Sequence, residues 1–233
     1  MGMYALTAEA ARVRAGSWRG RDDLAYLVPL SSAATLTPAA LEQIRSRLRE
    51  DGFDAVVTAA VGPSERDMLA ADGFDEHESL HLLRHELSDL PPRPARTRGI
   101  RRGGRRDLDA ILDVDRQTFE AFWQLDRDGL LEAIAATPVS RLRVVRDPGV
   151  VGYAVTGRAG DQGYLQRLAV HPERQGEGLG IDLVADALHW LRRRQVRTCW
   201  VNTQEANEAA LALYHRLGFR DAPHQLTVLR RDL

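Results

Sequence analysis

The sequence predicts a mixed α/β protein, with helices and strands interleaving around a mixed sheet and a partial second copy of that pattern ahead of it. Three observations predict it. Beyond residue 97 the apolar periodicity alternates between strand-like and helix-like. A glycine-rich polar knot joins one such strand to one such helix. The stretch from Leu41 to Leu87 also repeats the order of elements found from Leu183 to Leu233.

The N-terminal copy comes first. "LEQIRSRLREDGFDAVVTAAVGPSERDMLAADGFDEHESLHLLRHEL" runs helix, strand, helix ending in Gly-Phe, strand. "LVADALHWLRRRQVRTCWVNTQEANEAALALYHRLGFRDAPHQLTVLRRDL" does the same. Aligning Gly73-Phe74 on Gly218-Phe219 sets Leu69 opposite Tyr214 and Gly62 opposite Asn207. On this reading the first copy has lost the polar residues of the second; convergent patterning is the alternative.

"SDLPPRPARTRG", Ser88 to Gly99, is the clearest boundary, because its prolines continue neither a helix nor a central strand. The expected division is 1–90, a degenerate half-domain; 91–96, a linker; and 97–233, the main domain. Arg93, Arg96, Arg98, Arg101, Arg102, Arg105 and Arg106 crowd this region without an intervening acid. A phosphate- or RNA-binding arm is one reading. With no aromatics interleaved for base stacking, a solvated linker running into an edge strand is the better one, and nucleic acid is not an expected partner.

After the linker, "DLDAILDVDRQTF" and "LDRDGLLEAIAAT" carry helical spacing. "SRLRVVRD" and "GVVGYAVTGR" read as strands around the Asp147-Pro148-Gly149 turn, and "GYLQRLAV" as a third. Gly178 to Arg194 reads as a helix with Ile181, Val184, Leu188 and Leu191 on one face. "RTCWVNT" is a strand, "NEAALALYHRLGF" a helix stopped by Gly218, and "HQLTVLRRDL" a last strand.

Composition removes several function classes. No window approaches the roughly eighteen apolar residues of a membrane span, and the N-terminus lacks an apolar signal core, so a cytoplasmic, membrane-free protein is expected. The single cysteine, Cys199, excludes an internal disulfide and a multi-cysteine metal site, and no metal is expected. A net charge of −1 gives no general pull toward polyanions. The chain contains no lysine, so neither a Schiff-base lysine nor a Walker phosphate loop is available.

The knot itself is "RQGEGLG". Glycines there permit positive φ and let several N–H groups point at one spot, and the following helix adds its free first-turn N–H groups and positive dipole end. That assembly suits a phosphate or pyrophosphate. The dinucleotide fingerprint fails on spacing, since Gly176-Glu177-Gly178 is followed by Leu179-Gly180.

"LQRLAVHPERQGEGLG…NTQEANEAALALYHRLGF" resembles the GCN5-related N-acetyltransferase (GNAT) family, in order, over Thr97 to Leu233 and most strongly from Leu165 to Phe219. The resemblance implies the GNAT acyl-CoA-transferase fold, with the N-terminal partial repeat packed beside it. It implies acetyl-CoA as cosubstrate. The pyrophosphate falls to Gln175, Gly176, Glu177, Gly178, Leu179 and Gly180, and the pantetheine arm to main-chain atoms of Leu168, Ala169 and Val170. Asn207 matches an asparagine that touches the cofactor, though a plain helix N-cap is its other reading. Tyr214 matches the tyrosine near the departing sulfur, with core packing as its alternative.

Family members often carry a glutamate base on the strand before the knot. Here Tyr164, Gln166, Leu168 and Val170 are expected to share a face, and none is a carboxylate. Glu120, in "RQTFEAFWQLD", is the candidate base, and an exposed acid in a turn is its other reading. Phe119, Phe122 and Trp123 beside it suggest a partly apolar acceptor pocket, though core packing explains them equally. The expected function is transfer of the acetyl group to a primary amine of a small molecule or peptide by direct attack, in a monomer or a homodimer. The alternative is a catalytically weak acyl-CoA-binding regulatory module.

Overall fold

The computed structural model describes residues 2–93 and 99–233. The expected linker at 91–96 therefore lies partly outside the described residues, as do Arg96 and Arg98. In chain order the elements begin with β1 (Tyr4–Ala8), β2 (Ala11–Ser17), β3 (Leu24–Pro29), α1 (Pro38–Glu50), β4 (Ala55–Thr58), α2 (Pro63–Ala71) and β5 (Asp75–His85). Next come β6 (Ile100–Arg102), α3 (Leu108–Thr118), α4 (Arg127–Ala135), β7 (Val139–Arg146), β8 (Val150–Ala159) and β9 (Gln162–Val170). Then follow α5 (Leu179–Arg192), β10 (Thr198–Gln204), α6 (Glu208–Arg216), β11 (Arg220–Asp221) and β12 (Leu226–Asp232).

Contacts divide the chain into two compact units. The first holds residues up to Leu82 with Asn202–Ala206 and Ala222–Leu233; the second holds Leu83–Val201 and Asn207–Asp221. The last strand, read from the sequence as part of 97–233, is thus built into the first unit. Its backbone explains why: β12 is antiparallel to both β4 and β5 and lies between them.

In the first unit, β1, β2 and β3 form an antiparallel meander, and β3 runs parallel to β4. Helix α1 starts where the Thr37 hydroxyl accepts the Ala40 N–H at 3.1 Å, with Pro38 at its first position. Its Leu41, Ile44 and Leu48 are buried with Val13, Leu27, Val56, Leu69 and Phe74.

The equivalence of α2 and α6 is visible in their last turns. Gly73 and Gly218 take φ of +85° and +89°, and the Phe74 and Phe219 N–H groups donate to Leu69 O at 3.1 Å and Tyr214 O at 3.0 Å. Both are left-handed glycine caps closed by a backward hydrogen bond. The N-cap is Gly62 in one helix and Asn207 in the other, as the alignment places them.

In the second unit, β6, β7, β8 and β9 pair antiparallel in sequence, and β9 pairs parallel with β10. One face is covered by α5, whose Leu183, Val184, Leu188 and Leu191 bury against Ala154, Leu165 and Val170. The other is covered by α3 and α4, with Ile111, Leu112 and Leu130 against Val144, Tyr153 and Val155. The expected edge strand in the arginine-rich region is β6. Its Arg101 donates to Asp107 Oδ2 at 3.0 Å, and Asp107 accepts the Gly104 N–H at 2.9 Å, so this cation is spent inside the fold.

Candidate acyl-CoA site on the second unit

The site starts from an irregularity in β9. Val155 of β8 opposes Arg167, while the next residue, Thr156, opposes Leu165, so Gln166 is an extra residue in the ladder. Such a bulge reverses which face the following side chains take. Leu165, Leu168 and Val170 therefore pack on the α5 side, whereas Ala169 packs with α3 and Arg167 reaches Asp115. The expectation that Tyr164, Gln166, Leu168 and Val170 share a face is corrected here. The period of two holds only on either side of the bulge.

Beyond the bulge, β9 also loses a neighbour. Its ladder with β10 runs from Gln162–Thr198 to Tyr164–Trp200 and stops, and among the described residues Leu165–Val170 then pair with β8 alone. The His171 N–H donates to Val151 O at 2.9 Å. Antiparallel alternation then turns Ala169 toward β8 as well, and directs the N–H groups of Leu168 and Val170 to the open edge. An extended chain carrying amide groups can add there as a strand would.

The glycine knot continues from this edge. Gln175 Nε2 donates to Val170 O at 3.1 Å and ties the knot back to the strand end. Gly176 and Gly178 take φ of +80° and +82°, where other residues are strained, and a Cβ on either would meet nothing within 4 Å. The backbone is left-handed and openly approachable at both. Gly178 is the N-cap of α5, whose first-turn N–H groups have no partner within the helix. Gly180 is placed differently: its Cβ position is 3.3 Å from Leu213 Cδ2, a close approach where α5 meets α6. Leu179 is buried and can contribute only its main chain.

Glu177 is held by Arg174. Its carboxylate accepts from Arg174 Nε at 2.8 Å and Nη2 at 2.9 Å, and Arg174 also reaches Asp147 Oδ2 at 2.9 Å. The acid in the knot is therefore paired with a cation, which it shares with Asp147.

Helix α6 supplies the remaining candidates. Asn207 Oδ1 accepts the Ala210 N–H at 3.1 Å, so the cap reading holds and leaves the amide NH2 to donate. Tyr214 is buried, its ring centroid 5.5 Å from that of Phe219, and burial raises its phenol above the ordinary value. Cys199 lies in the same core, fully buried, its thiol pushed up to about 12 by desolvation. We expect Cys199 to resist a thiol-reactive disulfide in the native protein at pH 8 and to react within minutes once urea unfolds it; a colorimetric thiol titration checks this.

Glu120 is exposed and sits after the end of α3, where its carbonyl accepts the Trp123 N–H at 2.8 Å. No other catalytic or cofactor-binding candidate lies on that segment, which also carries Phe119, Phe122 and Trp123. Nearby is a cluster that sequence reasoning missed. Asp115 of α3 is wholly buried and accepts from Arg167 Nε and Nη2, both at 2.8 Å, from the Leu125 N–H at 2.7 Å and from the Tyr153 hydroxyl. Burial pushes the Tyr153 phenol upward as well. A carboxylate with four donors has no lone pair to spare for taking a proton from substrate. The available signal was Asp115 itself, an acid on the apolar stripe of Leu108, Ile111 and Leu112.

Among the described residues no group of three or more His, Cys, Asp or Glu could hold a metal, and no helix is long and apolar enough to cross a membrane.

A strand edge opening beside a glycine knot at a helix N-terminus suits an extended ligand that carries an anionic group. Residues 108–219 match the model of the Acetyltransferase (GNAT) family, and this segment is a GNAT domain. Mycothiol acetyltransferase from Acidimicrobium ferrooxidans is 32% identical over 171 residues, covering 66% of this chain and 54% of that protein. The ribosomal protein bS18-alanine N-acetyltransferase of Escherichia coli (strain K12) is 37% identical over 73 residues, covering 31% and 49% respectively. The chain spans about half the length of these curated relatives. A solved tandem GNAT protein from the clavulanic acid biosynthesis pathway aligns with a TM-score of 0.66 over 95% of this chain and 78% of its own, at 16% identity. That likeness is one of fold.

Proposed function

We propose that the second unit transfers the acetyl group of acetyl-CoA to a primary amine by direct attack. The observation that carries this reading is the continuity of the open β9 edge with two left-handed glycines and the N-terminus of α5. Bound acetyl-CoA supplies an activated acyl carbonyl and a thiol leaving group. The chain's residues fit it. Main-chain N–H groups of Gly176 to Gly180 hold the pyrophosphate, and the Leu168 and Val170 edge orients the pantetheine, with Val170 N–H an oxyanion donor. Leu179 and Glu177 serve through backbone position, Gln175 by bracing the strand end, and Asn207 through its free amide; Ala169, expected from the sequence to pair with the pantetheine, has its main chain turned to β8 and is left out.

Tyr214 donates a hydrogen bond to the departing sulfur. Its raised phenol holds its proton more tightly than a thiol does, whose ordinary pKa is roughly 8.5, so it shares the proton rather than surrendering it. Tyr214→Phe should lower kcat about tenfold to a hundredfold, the worth of one hydrogen bond to a charged group, while the Kd for acetyl-CoA changes less than threefold. Unchanged kcat would leave Tyr214 a packing residue. Glu120, standing in solvent, passes the ammonium proton to bulk water. The acceptor is a primary amine; the relatives are named for an alanine of ribosomal protein bS18 and for mycothiol.

A second reading, an acyl-CoA-binding module with weak turnover, is favoured by one observation: β9 carries no carboxylate, and the buried Asp115 is saturated. Thiol release from acetyl-CoA against an alanyl hexapeptide, glucosamine and spermidine separates the two. Turnover with at least one amine supports transfer; tight acetyl-CoA binding with no thiol released supports the module.

A further inference from the structure

The acceptor's approach is constrained by what covers β9. On the α5 side, Val170 is buried and Leu168 is half-buried against the core, which narrows the approach to the open edge from there. The other route crosses the face bearing Arg167. That face is overlain by the segment following α3, which Arg167 contacts at the Phe119 ring and the Trp123 carbonyl.

Its guanidinium sits 3.5 Å from the Phe119 ring centroid, and its Nη2 donates to the Trp123 carbonyl at 2.7 Å. Asp115 fixes the same guanidinium through two further hydrogen bonds and takes the Leu125 N–H directly. The Thr118 hydroxyl donates to Val170 O at 3.3 Å, which places the start of the segment beside the open edge itself. One side chain thus grips both ends of the aromatic segment, beside the open edge.

We propose that Arg167, braced by Asp115, is a positioning residue for the acceptor: it sets the Phe119–Trp123 segment as the wall that orients the amine against the β9 edge. The proposal rests on the acyl-CoA reading of that edge. An ordinary buried ion pair would stabilise the domain without regard to which partner is altered. A positioning residue makes a sharper demand, because Tyr153 also donates to Asp115, whereas the bond to the Trp123 carbonyl and the stacking on Phe119 come from Arg167.

The test compares Arg167→Lys with Tyr153→Phe in the full chain. Lysine keeps the charge but cannot make the forked pair, the carbonyl contact and the ring stacking together. With the best amine of the panel above, Arg167→Lys should raise the acceptor KM tenfold or more, with acetyl-CoA Kd by calorimetry within twofold of wild type. Tyr153→Phe should lower the thermal midpoint yet leave the acceptor KM within twofold. Amide exchange in residues 119–124 should quicken in the first variant only. If Arg167→Lys does not fold, Phe119→Leu, which removes the ring and spares the ion pair, should raise the acceptor KM at least threefold. Equal KM changes in both variants, or none in either Arg167→Lys or Phe119→Leu, overturn the proposal while the acyl-CoA reading stands. Wild-type protein that binds no acetyl-CoA overturns both.

Discussion

Gly178→Asp should weaken acetyl-CoA binding by about two orders of magnitude while the protein stays folded. Two effects combine. Gly178 holds φ at +82°, a conformation that aspartate tolerates at a cost of about 1 kcal/mol. The larger effect is electrostatic: nothing lies within 4 Å of the new Cβ, so the carboxylate projects into the approach of the pyrophosphate. Like charges at such range repel by about 2–4 kcal/mol at an effective dielectric near 20. Gly178→Asn is the control, sharing the backbone cost without the charge, and should lose less than tenfold. Calorimetric titration with circular dichroism on each variant reads both numbers. Equal losses in the two would assign the effect to backbone rather than charge.

Asp115→Ala should be the most destabilising single change in the second unit. It strands the Arg167 guanidinium, which is 13% exposed, and leaves the Leu125 N–H and Tyr153 hydroxyl without their acceptor. Removing one partner of a buried pair costs about 3–5 kcal/mol. For a chain of this size that is a fall in thermal midpoint of roughly 6–20 °C. Replacing both partners by apolar residues, Asp115→Leu with Arg167→Met, should recover most of the loss, because no buried charge is then left alone. A double variant as unstable as the single one would mean that the segment from Phe119 to Leu125, and not the stranded charge, sets the cost.

How much of this was legible in the sequence depends on how local each feature is. The strand, knot and α5 helix could be read because glycine spacing and apolar periodicity lie within thirty residues of one another. The Gly-Phe endings of α2 and α6 were readable too, since a left-handed cap writes its own glycine. The bulge at Gln166 was not, because an extra residue exists only relative to the facing strand. The same holds for β12: "HQLTVLRRDL" reads as a strand, but nothing in it names β4 and β5 as its neighbours. Asp115 and Arg167 are 52 residues apart, and each alone resembles a misplaced surface charge. The meander of β1, β2 and β3 was hidden by composition. Ala11, Val13 and Ala15 alternate inward against outward Arg12 and Arg14, but small alanines give little apolar contrast.

The central claim is that main-chain amides of the knot and the β9 edge receive coenzyme A. Titrating isotopically labelled protein with coenzyme A and following backbone amides by NMR tests it most directly. The amides of Gly176, Gly178, Gly180 and Val170 should move together and saturate at one Kd. Shifts confined to other parts of the chain, with these four unmoved at saturation, would contradict the account.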